Sequence, residues 1–196
     1  MELEDRIFSH FHNSMDICAQ TIEHYTPLIA EASELMLNCL VSEQKIICAG
    51  NGASASIASQ LATLLMNRFR HERPGLPCLS LNGSDTVLSG IAQDSSYSEV
   101  YARQIQALGQ AGDILFVVSS DGKDASLVQA IQAAHDREMQ VIALTGRDGG
   151  DMTALLRPEE IELCIAAEDE AGILLAHTLV LHTLIDLIEF QLFGAQ

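Results

Sequence analysis

Residues 48–54 read Cys-Ala-Gly-Asn-Gly-Ala-Ser, and residues 118–122 read Val-Ser-Ser-Asp-Gly, a second serine- and glycine-containing turn of the same kind. Each stretch ends a short apolar segment and precedes a helical pattern, so each is predicted to join a strand to a helix. Glycine lets the backbone approach a ligand closely, and the first turn of a helix offers free N–H groups. The two stretches therefore predict one crevice for an anion at the tips of parallel strands.

The rest of the chain alternates strands with helices. Strands are predicted near residues 45–49, 77–81, 114–118, 141–145 and 161–166, and helices near residues 54–69, 84–91, 96–108 and 125–137. This alternation is typical of a parallel sheet with helices on both faces, in which ligands bind beyond the carboxyl ends of the strands. The predicted fold class is α/β, a three-layer sandwich around a five-stranded parallel sheet.

Both ends of the chain are predicted to be helical, within a single domain over residues 1–196. Residues 1–41 form an N-terminal extension, in which Pro27 separates two amphipathic helices. The last helix, residues 170–193, is apolar on nearly every side. Such a helix is either a central core helix or part of an oligomer interface, and the sequence favours neither.

Composition limits the classes of function. Ten basic and 27 acidic residues give a net charge of −17, which disfavours direct nucleic-acid binding. Five scattered cysteines without a Cys-x-x-Cys pair indicate free thiols in a reducing compartment. The acidic N-terminal segment lacks the pattern of a signal peptide, and the longest apolar run is shorter than the ~20 residues of a membrane span. A cytoplasmic protein without a membrane partner is expected.

Several motifs together carry a resemblance to a known family. They occupy residues 50–54, 66–69, 72–74, 94–101, 112–115, 119–122 and 143–150. The chain resembles the sugar isomerase (SIS) domain family, in the branch of phosphoheptose isomerases and DnaA initiator-associating (DiaA) proteins, and is closer to the latter. The resemblance implies a SIS-type sandwich, a homotetramer and a phosphosugar-type pocket between subunits. The binding positions that it implies are Asn51, Gly52, Ser54, Asp94, Ser119, Ser120 and Gly122.

The same resemblance implies catalytic and zinc positions, and most of them are changed here. The family's His and Glu on the helix after the first turn correspond to Gln60 and Leu64, and its metal-binding Gln corresponds to Leu174. His182 is the one isomerase position that keeps its residue. An isolated histidine is neither a zinc site nor an acid–base pair, so no catalytic residue, metal or cofactor is predicted.

The second turn also departs from the family, because two hydroxyl positions of the pattern Ser-x-Ser-Gly-Asn-Ser have become Asp121 and Asp124. A carboxylate about 4 Å from one phosphate charge costs roughly 4 kcal/mol at an effective dielectric constant of ~20. Lys123 offsets part of this repulsion. We therefore expect weak phosphosugar binding.

Three functions are compatible with these residues. The main expectation is a non-catalytic scaffold resembling DiaA, which binds the replication initiator DnaA and promotes its assembly at the origin. Leu192 and Phe193 would contact that partner or dock back on their own domain. The alternative is a phosphoheptose isomerase that converts sedoheptulose 7-phosphate to D-glycero-D-manno-heptose 7-phosphate through Asp94, Asp121 or His182. A third hypothesis is a module that senses a weakly bound sugar phosphate.

Overall fold

A parallel sheet forms the centre of the molecule in the computed structural model, which describes residues 2–194. Its strands lie in the order β2-β1-β3-β4-β5 and all pairs are parallel. The strands are β1 (Ile46–Gly50), β2 (Cys78–Ser80), β3 (Ile114–Val118), β4 (Gln140–Gly146) and β5 (Ile161–Ile165). Every residue of β1 and β3 is buried, as expected for strands that are covered on both faces. The predicted five-stranded sheet is confirmed.

Helices cover both faces of the sheet. They are α1 (Leu3–Val41), α2 (Gly52–Met66), α3 (Asp85–Asp94), α4 (Ala102–Leu108), α5 (Ala125–Asp136), α6 (Gly150–Thr153) and α7 (Glu170–Phe193), with a short 3₁₀ turn at Tyr97–Glu99. One hydrophobic core joins the sheet to α1, α2 and α7, and a second joins its other face to α4 and α5. The three-layer α/β sandwich is thus confirmed.

The N-terminal region differs from the prediction, because α1 is one helix of 39 residues with Pro27 inside it. Proline removes the N–H group that would bond the carbonyl of Glu23. Both Glu23 and Pro27 are exposed, so water can bond this carbonyl and the helix continues. The prediction of two helices was wrong for this reason.

The C-terminal helix α7 is a core helix with one exposed apolar side. Among residues 2–194 it alone has the length and hydropathy of a membrane span, but half of that apolar window is buried inside the protein. Ile173, Leu181 and Leu184 are fully buried, whereas Leu175 and Leu179 are about half exposed. The core interpretation of α7 therefore holds, and the exposed side leaves room for an interface.

Candidate functional site

The crevice lies where the strand order reverses, between β1 and β3. We call residues 50–54 the first loop and residues 118–124 the second loop. Gly50 pairs directly with Val118 in the sheet, so the two loops leave it side by side. A Cβ atom on Gly50 would lie 2.7 Å from the carbonyl oxygen of Ser54, which shows how closely α2 begins over the strand end.

Asn51 is the centre of the first loop. Its Nδ2 donates to Asp124 Oδ1 at 2.7 Å and to Ser126 Oγ at 2.9 Å. Its Oδ1 accepts from the hydroxyl of Tyr97 at 3.0 Å. The hydroxyl of Tyr101 donates to the carbonyl of Gly50 at 2.6 Å, and burial raises the pKa of Tyr101 well above its ordinary value. Asn51 thus links the first loop to the second loop and to the 3₁₀ turn.

The second loop is held by its own side chains. Ser119 Oγ donates to Asp124 Oδ2 at 2.6 Å and accepts from the N–H of Gly122 at 3.0 Å. Asp121 Oδ1 accepts from the N–H of Lys123 at 3.0 Å, which forms a local turn. Ser120 Oγ donates to Glu170 in the first turn of α7 at 3.2 Å. Both serines therefore donate to carboxylates of the protein.

A third segment, residues 146–150, packs against the second loop through glycines. Gly122 has φ +69°, and a Cβ atom there would lie 1.8 Å from the carbonyl oxygen of Gly149. A Cβ atom on Gly146 would lie 2.3 Å from the carbonyl oxygen of Ser120. This contact was not predicted, although the Thr-Gly-Arg-Asp-Gly-Gly run at residues 145–150 is a signal for close backbone packing.

The structure brings Asn51, Gly52, Ser54, Ser119, Ser120 and Gly122 to the crevice, whereas Asp94 belongs to α3 and not to either loop. Asp94 lies at the end of α3 and lines an open pocket of about 520 Å³ with Val87, Gly90 and Arg103. No residue of the two loops lines that pocket within residues 2–194. The end of α3 nevertheless lies near the first loop, because Tyr97, three residues after Asp94, donates its hydroxyl to Asn51. A role for Asp94 in binding stays a prediction.

The zinc positions that the family implies do not fit a metal here. Leu64 and Leu174 pack against the hydrophobic core and offer no lone pair. The ring of His182 stacks on Phe69, with 5.3 Å between their centroids. Over residues 2–194, no group of three or more His, Cys, Asp or Glu side chains is placed to hold a metal ion. We therefore derive no chemical step through zinc.

The two residues predicted to contact a partner lie in different environments. Leu192 is partly buried and packs against the core between the sheet, α1, α2 and α7. Phe193 is 39% exposed and lines a pocket of about 260 Å³ beside Arg70 and Arg73. The two side chains do not form one exposed apolar contact, because Leu192 docks on its own domain.

Comparison with known proteins is consistent with this geometry. Residues 9–146 match the SIS domain family. The chain is 48% identical over 195 residues to the phosphoheptose isomerase of Chromohalobacter salexigens, covering 100% of this chain and 99% of the relative. The structure of a phosphoheptose isomerase from Francisella tularensis superposes with a TM-score of 0.93 at 36% identity, over 96% of this chain and 98% of that one. The structure of the phosphoheptose isomerase GmhA from Neisseria gonorrhoeae superposes with a TM-score of 0.90 at 34% identity, over 96% of this chain and 99% of that one.

These comparisons overturn the expectation of a non-catalytic DnaA-binding scaffold. The similar proteins are phosphoheptose isomerases over their full length, and nothing in the comparisons points to DnaA or to replication initiation. The changed positions Gln60, Leu64 and Leu174 had favoured the scaffold, but three side chains weigh less than similarity along the whole chain. The alternative function is the better supported one.

Proposed function

The chain belongs to the SIS domain family, and from this premise we propose that it binds a sugar phosphate in the crevice and acts as a phosphoheptose isomerase. Its reaction would convert sedoheptulose 7-phosphate to D-glycero-D-manno-heptose 7-phosphate in the cytoplasm. One observation carries the proposal: the 48% identity to a phosphoheptose isomerase runs the full length of both chains.

The first turn of α2 is the proposed phosphate position. The side chain of Asn51, which precedes this helix, makes no capping hydrogen bond to it and bonds the second loop instead. A Cβ atom on Gly52 would meet nothing within 4 Å, so the space in front of the turn is open. The N–H groups of this turn and the positive end of the helix dipole attract a phosphate, and Ser54 adds a hydroxyl group.

Isomerisation of a ketose phosphate moves one proton from C1 to C2 and one from the C1 hydroxyl to the C2 oxygen, with a base next to the carbonyl and an acid near its oxygen. Of the three candidates named from the sequence, Asp121 is the one that belongs to a loop of the crevice, where it is half-buried. We assign the base to Asp121, since Asp94 lines another pocket and His182 stacks on Phe69. Asp121 would thus take the role of the carboxylate that the family carries at the position of Leu64.

Assembly into a homotetramer is part of the proposal. Large apolar side chains are more than half exposed along one stretch of α1: Leu3, Ile7, Phe8, Phe11, Met15 and Ile22. An exposed apolar surface of this extent is typical of an interface. A second copy of the chain would cover it, and a closed symmetric oligomer is the commonest solution.

Turnover is tested by incubating the purified protein with sedoheptulose 7-phosphate in heavy water, with and without zinc. The proposal predicts heptose phosphate as product and deuterium at C2, both lowered at least 100-fold by Asp121→Asn, since general-base catalysis contributes about that much or more. The same variant should keep its melting temperature within a few degrees. Absence of product and of deuterium from the wild-type protein would contradict isomerase activity.

A second candidate is a sugar-phosphate sensor without turnover. It is favoured by Leu64 and Leu174, which remove a base and a metal ligand from the positions that the family uses. Calorimetry with sedoheptulose 7-phosphate separates the two candidates. Binding without product supports the sensor, whereas binding with product supports the isomerase, and no binding excludes both.

A further inference from the structure

We propose that the carboxylate of Asp124 acts as an internal anion, which occupies the side-chain donors of the crevice and thereby sets its affinity for a phosphate group. The proposal rests on the proposed function in so far as the ligand carries phosphate. It makes Asp124 a specificity-determining residue that bonds the donors of the crevice, whereas the sequence motif alone indicated only that its charge repels a phosphate.

The hydrogen bonds of Asp124 join both loops. Its Oδ1 accepts from Asn51 Nδ2 at 2.7 Å, and its Oδ2 accepts from Ser119 Oγ at 2.6 Å. Distances this short are typical of hydrogen bonds to a charged acceptor. Two oxygens of one anion thus accept from donors of both loops, in the crevice where we place the phosphate.

No side-chain donor of Asn51 or Ser119 is left over for a ligand. The amide of Asn51 has two N–H bonds, and the second donates to Ser126 Oγ at 2.9 Å. Ser119 has one O–H bond, which is directed to Asp124. A phosphate that reached these donors would have to displace Asp124, and it would do so against the repulsion of like charges.

The position of Asp124 in its own helix points to the same role. Asp124 is the residue before α5, where an aspartate usually accepts hydrogen bonds from the first turn of its helix. Its side chain makes no such capping bond here and extends to the first loop instead. The carboxylate therefore links the loops and does not cap its helix.

Three variants test this proposal by calorimetry with inorganic phosphate, sedoheptulose 7-phosphate and unphosphorylated sedoheptulose. Asp124→Ser removes the carboxylate and keeps a residue that is favourable before a helix. Asp124→Asn keeps the size of the side chain and removes its charge. Asp136→Asn is the matched control, because Asp136 is exposed at the opposite end of α5.

Asp124→Ser should bind inorganic phosphate and sedoheptulose 7-phosphate about tenfold or more tightly than the wild-type chain does. The affinity of Asp124→Asn for these ligands should lie between those of Asp124→Ser and the wild type, and the affinity of Asp136→Asn should equal that of the wild type. Affinity for unphosphorylated sedoheptulose should not change with Asp124. Melting curves confirm that each variant is folded, and Asp124→Asn carries the test if Asp124→Ser does not fold.

The outcomes separate this proposal from the proposed function. Equal or weaker phosphate binding by the folded Asp124 variants overturns the internal anion, even if the wild-type chain binds sugar phosphate. Phosphate binding by an Asp124 variant, without detectable binding by the wild-type chain, supports the internal anion and contradicts the sugar-phosphate function of the natural chain. Absence of binding by every protein overturns both.

Discussion

A single buried histidine links the fold to pH. His177 is fully buried in α7, and its Nε2 lies 2.8 Å from the carbonyl oxygen of Thr145, so this nitrogen carries the proton. Its Nδ1 finds no hydrogen-bond partner among residues 2–194. Burial lowers the pKa of His177 from 6.5 to about 4. The folded protein therefore keeps this ring neutral where the unfolded chain would charge it.

Acidification should weaken the fold through His177. Below about pH 6.5 the unfolded chain binds a proton here, and the folded protein does not until about pH 4. The neutral ring of His177 therefore contributes about 3 kcal/mol to the free energy of unfolding above pH 6.5, and this contribution is lost as the pH falls to 4. Urea titrations between pH 7 and 4 should show that the free energy of unfolding falls less with pH in His177→Gln than in the wild type. The control His24→Gln, at an exposed position, should follow the wild type. Parallel curves for all three proteins would refute the assignment.

Gly122 makes a close backbone contact with Gly149 at the site. Gly122→Ala combines a positive φ with an overlap against Gly149, so we expect the free energy of unfolding to fall by about 3 kcal/mol. Gly90 lies exposed in α3 with nothing within 4 Å of a new Cβ atom. Gly90→Ala should stabilise the protein by about 0.5–1 kcal/mol. Urea titrations measure both changes, and an unaffected Gly122→Ala would show that the loops can separate freely.

At the residue scale, the sequence predicted which loops carry polar groups but not which groups bond each other. Asn51 and Asp124 were both recognised, one as a ligand donor and one as a source of repulsion. That they bond each other depends on the register of β1 and β3, which brings residues far apart in sequence together.

At the scale of elements, a buried ion pair joins α7 to the segment that follows α2. Arg73 Nε donates to Glu189 at 2.7 Å, with 2% and 8% of the two side chains exposed. The other nitrogens of Arg73 donate to the carbonyls of Leu64 and Leu65, near the end of α2. Glu189 also accepts from the N–H of Phe69. This cluster fixes the end of α2 against α7.

Breaking this pair should cost far more than breaking an exposed one. Glu189→Gln leaves the guanidinium of Arg73 buried without its charged partner, and we expect a loss of about 3–5 kcal/mol in the free energy of unfolding. The control is Glu72→Gln, because the Arg68–Glu72 pair is exposed and is worth less than about 1 kcal/mol. Denaturant titrations compare the two variants, and losses of similar size would contradict the structural role of Arg73.

Helices and strands were predicted correctly from the sequence where a local pattern of apolar residues determines them. The five strands and the helices α2, α5 and α7 are short-range patterns of apolar residues with clear ends. The break at Pro27 was mispredicted because its outcome depends on solvent exposure of the carbonyl of Glu23, which sequence pattern does not show. The role of Arg73 was missed because its partners are backbone carbonyls, which every residue has.

At the scale of the whole molecule, α1 and α7 leave an apolar surface exposed on one face. Phe8 and Phe11 are 65% and 64% exposed, and Leu179 on α7 is 45% exposed. A groove of about 380 Å³ runs between the two helices, lined by Ile22, Leu179 and their neighbours. We expect a second copy of the chain to cover both surfaces, as proposed above.

Analytical ultracentrifugation should therefore give a mass about four times the 21.2 kDa of one chain. Phe11→Ser should lower that mass, because it places a polar group in the proposed interface. Leu108→Ser is the control, since Leu108 is 42% exposed on α4 at the other face of the sheet and should leave the mass unchanged. A monomeric wild-type protein would remove the proposed interface.

Function was the least predictable property at this scale. The sequence correctly indicated the SIS domain family, but changes at Gln60, Leu64 and Leu174 were given more weight than the rest of the chain. Those residues decide how a proton or a metal is handled, whereas the loops and the helix N-terminus decide whether a phosphate is held. The two properties can change independently, so one does not predict the other.

The position of a bound phosphate tests the central claim most directly. A crystal structure of the protein with sedoheptulose 7-phosphate should place the phosphate oxygens about 3 Å from the N–H groups in the first turn of α2, beside Ser54. A phosphate at another position, such as the pocket lined by Arg70 and Arg73, would contradict the account. So would crystals grown at saturating ligand in which the crevice holds no sugar phosphate.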